Sequence, residues 1–178
     1  MLLSVNSNNA ETAKRAKTLL AHNASKDIEG RKMLEKKETV EMLRGGPEGV
    51  KRWNVWRNAN HSVKVDLSGA KLSEANLSGV DFRGADLSGA DLTEAILTRA
   101  ILAGADLSGA DLTGAILAGA DLWGADLTEA ILTEAILTEA ILTEAILAGA
   151  KFYFNIGLKL ADWMRACEQT AKTITFAD

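Results

Sequence analysis

The chain has 178 residues, 47 % of them apolar, with 20 Lys or Arg against 24 Asp or Glu and a formal net charge of −4. This length and apolar content predict a folded chain with a sizeable core and exclude a disordered one. One cysteine and two histidines exclude a disulfide framework and a multi-cysteine metal site, and they leave few groups for a catalytic triad.

Neither a secretory signal nor a membrane span is predicted. The opening residues, MLLSVNSNNAETAKR, lack the continuous apolar core of a signal peptide. The most apolar window, 131–150, contains Glu134, Glu139 and Glu144, which a membrane-spanning helix would not tolerate. We therefore expect a soluble cytoplasmic protein that has no membrane partner.

Residues 1–46 are predicted to form a helical N-terminal appendage, with helices over about 9–22 and 26–44. The apolar positions in these two segments are sparse and only weakly periodic. The appendage is therefore either loosely packed or partly disordered, and both interpretations remain open.

A capping helix and linker are expected at 47–64. Gly45 and Gly46 end the preceding segment, and Pro47 suits the first turn of a new helix over 47–58. Trp53 and Trp56 lie near one side of this helix. They form a hydrophobic lid in one interpretation and bind a ligand in the other.

Residues 65–154 contain a five-residue repeat. Every fifth residue from 65 to 150 is Ala, except for Val65 and Val80, and the residue two positions later is Leu, except for Phe82 and Phe152. A period of five would spread the leucines around an α-helix and flip them across a flat strand. If the chain turns a corner in every unit, each Ala–x–Leu points inward, and four corners close a square coil of 20 residues. Such a core is solid and leaves no room for a substrate.

The two residues after each Leu form the predicted corner. Gly at the second corner position permits the positive φ of a type II turn, whereas Glu at the same position favours type I.

The segment ADLSGADLTEAILTRAILAGADLSGADL, residues 85–112, resembles the pentapeptide-repeat family, and the resemblance extends over 65–154. It implies a mainly β fold: a right-handed quadrilateral parallel β-helix of about 4.5 coils with helical caps. The segment WNVWR, residues 53–57, is similar to segments that precede the repeats in some members. That similarity implies that Trp53 and Trp56 cap the first coil.

Residues 155–178 break the repeat and are predicted to form a C-terminal capping helix and tail. Trp163, Met164 and Cys167 follow helical spacing within a helix over about 157–172. Trp163 is expected to help cap the last coil, and a dimer contact is the alternative. Cys167 lies on the apolar stripe, which favours a buried structural thiol over a nucleophile.

The charges are segregated: residues 1–64 carry a net +6 and residues 65–154 a net −10. Stacking every twentieth residue predicts two outward columns, one acidic and one apolar. The acidic column consists of Asp66, Asp86, Asp106 and Asp126, and the apolar column consists of Ile96, Ile116 and Ile136. These residues form the candidate interaction surface together with Trp123, which occupies a corner where small residues are usual. Turn N–H groups are expected to hold the aspartates. No metal site is predicted, because a ladder along one face does not surround an ion.

The sequence contains no nucleophile–base pair, phosphate loop or metal-ligand cluster, so neither an enzyme nor a cofactor is predicted. We expect a non-catalytic protein–protein interaction scaffold with an unidentified protein partner, and a homodimer is an open alternative.

The family resemblance implies a second function, a DNA mimic that inhibits or protects a type II topoisomerase such as gyrase. The acidic repeats favour mimicry, and the isoleucines and short length disfavour it. Direct nucleic-acid binding by residues 1–64 is disfavoured because acidic residues interrupt the basic ones.

Overall fold

The computed structural model describes residues 35–153 and, beyond them, Gly157, Met164 and Glu168. The predicted helix over 9–22 lies outside the described residues, as do Trp163 and Cys167. Met164 and Glu168 are helical, as the predicted C-terminal helix requires. Met164 is exposed.

Two helices precede the repeats. Helix α1 spans Lys36–Arg44 and lies within the predicted 26–44 segment. Helix α2 spans Pro47–Ala59 and agrees with the helix predicted over 47–58. Gly46, with a φ of 70°, allows the chain to turn between them, and Pro47 provides the preset φ of a first helical turn.

Parallel bridges join residues that are twenty apart throughout the repeats, as the predicted stacking requires. Each bridge is a single residue because the chain turns immediately afterwards. The Leu67 N–H donates to the Asp86 carbonyl at 2.7 Å, and the Asp86 N–H donates to the Val65 carbonyl at 2.8 Å. The same pair of bonds recurs on four successive faces. The bridged columns run from Asp66 to Ile146, from Lys71 to Lys151, from Asn76 to Ile136 and from Asp81 to Ile141.

Every corner is closed by a bond between the units on either side, such as the Ala70 N–H to the Leu67 carbonyl at 3.0 Å. The second corner residue has a positive φ both for glycine, as at Gly69 (62°), and for glutamate, as at Glu94 (56°). The predicted type I turn at the glutamates is therefore wrong, because type I needs a negative φ there. The Glu94 N–H also bonds to the Thr113 carbonyl of the next coil at 2.8 Å, so all corners keep one geometry to stay in register.

The axis of the β-helix is filled with leucine and alanine. From Leu67 to Leu147 the large inward side chains, Phe82 included, are fully or almost fully buried, and the alanines between them are buried as well. Phe152, at the end of the repeats, is only partly buried. Burial of this stack is the main source of stability, since each large side chain contributes about 1.5–3 kcal/mol before ordering entropy is subtracted. No helix in the described part of the chain is long and apolar enough to cross a membrane.

Candidate interaction surface and N-terminal cap

Helix α2 pairs with backbone groups of the first coil that have no preceding coil to bond. The Trp53 Nε1–H donates to the Asp81 carbonyl at 2.8 Å. The Asn54 side chain accepts from the Asp81 N–H and donates to the Gly79 carbonyl, both at 2.9 Å. These bonds satisfy groups that would otherwise form an open sheet edge.

Basic side chains extend the same pairing around the coil. The Arg57 guanidinium donates to the carbonyls of Val63, at 2.8 Å, and Arg83. From α1, Lys36 Nζ donates to the Ser68 carbonyl at 2.6 Å, and Arg44 donates to the Lys71 carbonyl at 3.0 Å. The sequence analysis missed Lys36 and Arg44, because neither lies in a recognisable motif.

The two predicted capping tryptophans have different surroundings. Trp53 is 1 % exposed, with its ring centroid 5.2 Å from that of Trp56 and 5.8 Å from that of Phe82 in an edge-to-face contact. Trp56 is partly buried, and its Nε1 is enclosed without a hydrogen-bond partner in the described structure. Phe82 replaces the usual leucine where Trp53 packs.

The four aspartates of the acidic column are bridged in consecutive coils. Each carboxylate accepts the backbone N–H of the residue two positions later and its hydroxyl, as Asp106 does from Ser108 at 2.9 and 2.6 Å. The predicted role of the turn N–H groups is therefore confirmed. These bonds offset repulsion between neighbouring carboxylates, and the same geometry is present at the other members: Asp66, Asp86 and Asp126.

Hydrogen bonds lower the pKa of two members of the column. Lys36, 2.8 Å from the Asp66 carboxylate, and the bonds from Ser68 lower the pKa of Asp66 to about 2. The bonds from Ser108 lower the pKa of Asp106.

Asp81 lies on another face and is 7 % exposed. Burial alone would raise the pKa of this carboxyl, but the bonds from Arg83 outweigh it and lower the pKa. The Arg83 Nε lies 2.9 Å from the carboxylate, and a second guanidinium nitrogen bonds to its other oxygen. This pairing raises the pKa of Arg83 in turn.

The predicted apolar column is present as a stack of Ile96, Ile116 and Ile136, joined by parallel bridges. Its members are half-buried, because neighbouring coils cover part of each side chain. Exposure is greater near the end of the repeats, where Ile141 and Ile146 are 46 % and 45 % exposed.

Trp123 is 49 % exposed at a corner, and its backbone N–H donates to the Asp121 carboxylate at 3.0 Å. Ile141 is bridged to Asp121 and Ile146 to Asp126, the residues on either side of that corner. The structure thus places Trp123 between two columns that end in exposed isoleucines. Within the described residues, no group of three or more His, Cys, Asp or Glu side chains could hold a metal ion.

The family model for pentapeptide repeats matches the chain in eight copies, over residues 63–99, 97–128 and 124–153. These matches span just over half of the chain. The chain therefore belongs to the pentapeptide repeat family, as its five-residue period predicts, and family members form right-handed β-helices.

Solved structures of other pentapeptide repeat proteins resemble the chain. HetL, from the cyanobacterium Nostoc sp. strain PCC 7120 and involved in heterocyst differentiation regulation, is 45 % identical with a TM-score of 0.48, over 48 % of this chain and 39 % of HetL. A protein of the Arabidopsis thaliana thylakoid lumen is 31 % identical with a TM-score of 0.54, over 58 % of this chain and 72 % of that protein. Full-length QnrB1, a plasmid-mediated fluoroquinolone resistance protein, is 23 % identical with a TM-score of 0.31, over 58 % of this chain and 65 % of QnrB1.

The chain thus spans about two fifths of the length of HetL. No curated protein matches it.

Proposed function

We propose that this protein is a non-catalytic scaffold that binds another protein through the outer faces of its β-helix. The observation that carries the proposal is the apolar column Ile96, Ile116 and Ile136 on the outside of a coil whose interior is already filled. A filled axis leaves only the outer faces for recognition, and contiguous apolar side chains on a flat face favour contact with a protein surface.

Trp123 with its neighbours Ile141 and Ile146 extends the apolar surface around a corner. An exposed tryptophan is among the side chains that most often dominate the energy of an interface. The aspartates beside it carry charge that would select a partner with basic residues at its rim. A second copy of this chain remains an alternative occupant.

We propose the following organisation for the scaffold. Residues 1–46 form the helical appendage, 47–64 the N-terminal cap and linker, 65–154 a β-helix of about 4.5 coils, and 155–178 the C-terminal cap and tail. Trp53, Trp56 and Trp163 serve the two caps. The proposed location is the cytoplasm, without a catalytic activity, a cofactor or a membrane partner.

The double variant Ile96→Asp/Ile116→Asp tests the scaffold. Both side chains point outward, so the variant is expected to fold and to lose the partners that the parent captures from an extract of the host cells. Val55→Asp is the control, because Val55 is an exposed apolar residue on α2, outside the column. Captured partners and sedimentation coefficients that equal those of the parent would refute a role for the column.

A second candidate function is DNA mimicry toward a type II topoisomerase. It is favoured by the acidic column, whose four aspartates lie in a repeat region of net charge −10. The half-buried isoleucines on another face weigh against it, because DNA has no apolar outer face. A gyrase supercoiling assay separates the two functions, since a scaffold of unrelated role leaves supercoiling unchanged at micromolar protein, whereas a mimic inhibits gyrase or protects it.

A further inference from the structure

We propose that the cavity between the loop after α2 and a corner of the first coil binds a small oxyanion carrying two or more negative charges. This cationic cavity has a volume of about 460 Å³, within the range of about 300–1,000 Å³ typical of small-molecule sites. The residues that give it its character are Arg57, His61, Ser62, Lys64, Arg83 and Gly84. It is separate from the isoleucine column and Trp123, so the inference does not depend on the proposed scaffold function.

The charged side chains that line the cavity are all basic. Arg57, Lys64 and Arg83 are basic, and no Asp or Glu lines the cavity. Asp81 neutralises Arg83 through two hydrogen bonds, and Asp106 acts on Lys64 only through space. The lining thus keeps an excess of positive charge after its neighbours are counted.

Arg57 is the strongest reason to place an anion here. It is 5 % exposed, and its guanidinium donates to the carbonyls of Asn60, Val63 and Arg83. In the part of the chain that the structure describes, no carboxylate lies within ion-pair distance of it, although Asp81 is near enough to interact through space. The three carbonyls satisfy N–H groups of Arg57 but supply no full countercharge, which a bound anion would provide.

The donors fit phosphate or carboxylate oxygens. The three carbonyls hold the Arg57 guanidinium in place, so it is positioned before a ligand arrives. Lys64, His61 and the Ser62 hydroxyl are exposed at the same cavity and can complete the coordination of a tetrahedral or planar oxyanion. The volume exceeds that of one phosphate group, which leaves room for a phosphorylated or polycarboxylate small molecule.

Calorimetric titration of the full chain with inorganic phosphate and with citrate, at constant ionic strength, tests the proposal. We expect saturable binding in the millimolar range or tighter for at least one of the two. Saturation by phosphate assigns the site to phosphate esters, and saturation by citrate alone assigns it to polycarboxylates; either supports an oxyanion site. Absence of saturable binding with both overturns it.

Two charge-reversal variants locate the binding. Lys64→Glu is expected to weaken the affinity at least tenfold, because it replaces a cation of the lining. Lys71→Glu makes the same charge change at an exposed residue on a different face and is expected to leave the affinity unchanged. Equal loss in both variants would overturn the proposal in favour of general electrostatic attraction. Melting temperatures in chloride confirm that each variant is folded, and phosphate or citrate should raise the melting temperature of Lys71→Glu but not that of Lys64→Glu.

Discussion

Seven residues other than glycine have a positive φ at corners of the described coils, six glutamates and Arg99. Such a conformation costs a side chain with a Cβ about 1–2 kcal/mol. The structure tolerates it because the corner N–H must reach the next coil, as the Glu94 N–H does at 2.8 Å. The Glu129 and Glu134 N–H groups bond in the same way, to the carbonyls of Ala148 and Tyr153. Glu139 and Glu144 also have a positive φ, so the strain is concentrated at four consecutive corners near the end of the repeats.

The first prediction concerns these corners. Gly109 has a φ of 63° and open space around its missing Cβ, so Gly109→Ala should lower the free energy of unfolding by about 1 kcal/mol through backbone strain alone. Glu94→Gly should raise it by up to about 1 kcal/mol, because relief of strain exceeds the added freedom of the unfolded chain. Urea denaturation measures both. Equal stability of Gly109→Ala and the parent would contradict a strained corner.

The second prediction concerns Asp66. Lys36 and Ser68 lower its pKa from 3.8 to about 2, so its ionised form is favoured in the folded state. The contribution of this carboxylate to the stability of the folded state is fully present above its unfolded-state pKa. That contribution is lost as the pH falls through the folded-state pKa, between about pH 4 and pH 2. Carboxyl NMR titration should give a pKa of about 2 in the parent. In Lys36→Ala the pKa should rise but stay below 3.8, because the Ser68 bonds remain. An unchanged pKa in that variant would exclude the Lys36 contact.

At the scale of elements, α2 provides a surface of hydrogen-bonding side chains for the first coil. Trp53 and Asn54 reach Asp81 and Gly79, and Arg57 reaches Arg83. A helix cannot continue a β ladder with its own backbone, so side chains supply the bonds that a preceding coil would have made. The first coil therefore needs hydrogen-bonding side chains at Trp53, Asn54 and Arg57. It also needs α2 to lie against its open edge.

The third prediction compares the two tryptophans. Trp53→Phe removes a buried donor and leaves the Asp81 carbonyl unpaired, so it should lower the free energy of unfolding by about 1–3 kcal/mol. Trp56→Phe makes the same change in ring size but removes an Nε1 that has no partner in the described structure, so it should cost less than about 1 kcal/mol. Thermal or urea unfolding measures the difference. Equal losses in the two variants would show that ring packing, and not the hydrogen bond, decides stability at this end.

At the scale of the whole molecule, the coils are joined by backbone bonds that any further strand could also make. The first coil presents carbonyls that Lys36, Arg44 and the α2 side chains cover. Uncovered edges of this kind promote association of one chain with another. We therefore expect the two helices to protect the molecule from growth as well as to stabilise it.

The fourth prediction follows from this edge. A chain that begins at residue 63 should associate end to end, because the first-coil carbonyls and the Asp81 N–H lose their partners. Sedimentation velocity should show species larger than those of the full chain, increasing with protein concentration. Gly109→Ala in the full chain is the control, because it weakens a corner and leaves the edge covered. A truncated chain that sediments as the full chain does, corrected for mass, would contradict the role of the helices.

The sequence by itself determined the repeat fold and the start of α2, the helix that precedes the repeats. Its five-residue period placed Leu67 to Leu147 inside, because a coil that turns a corner in every unit points each leucine inward. With four corners in each coil, the same period predicted which residues lie twenty apart in one column. Gly46 and Pro47 were enough to place the start of α2. The acidic column and the outward isoleucines followed from the same arithmetic.

Only the tertiary structure decided the corner conformation at glutamate, the bonds from Lys36 and Arg44 to the first coil, and the convergence of Arg57, Lys64 and Arg83 on one cavity. The physical reason is that local preference gives way where a residue must bond to a distant part of the chain. Glu94 takes a positive φ to keep its bond to the next coil. Arg57, Lys64 and Arg83 come from segments that are separated in the sequence, and that separation does not predict the distance between their side chains. They line one cavity because of the way the helices pack against the coil.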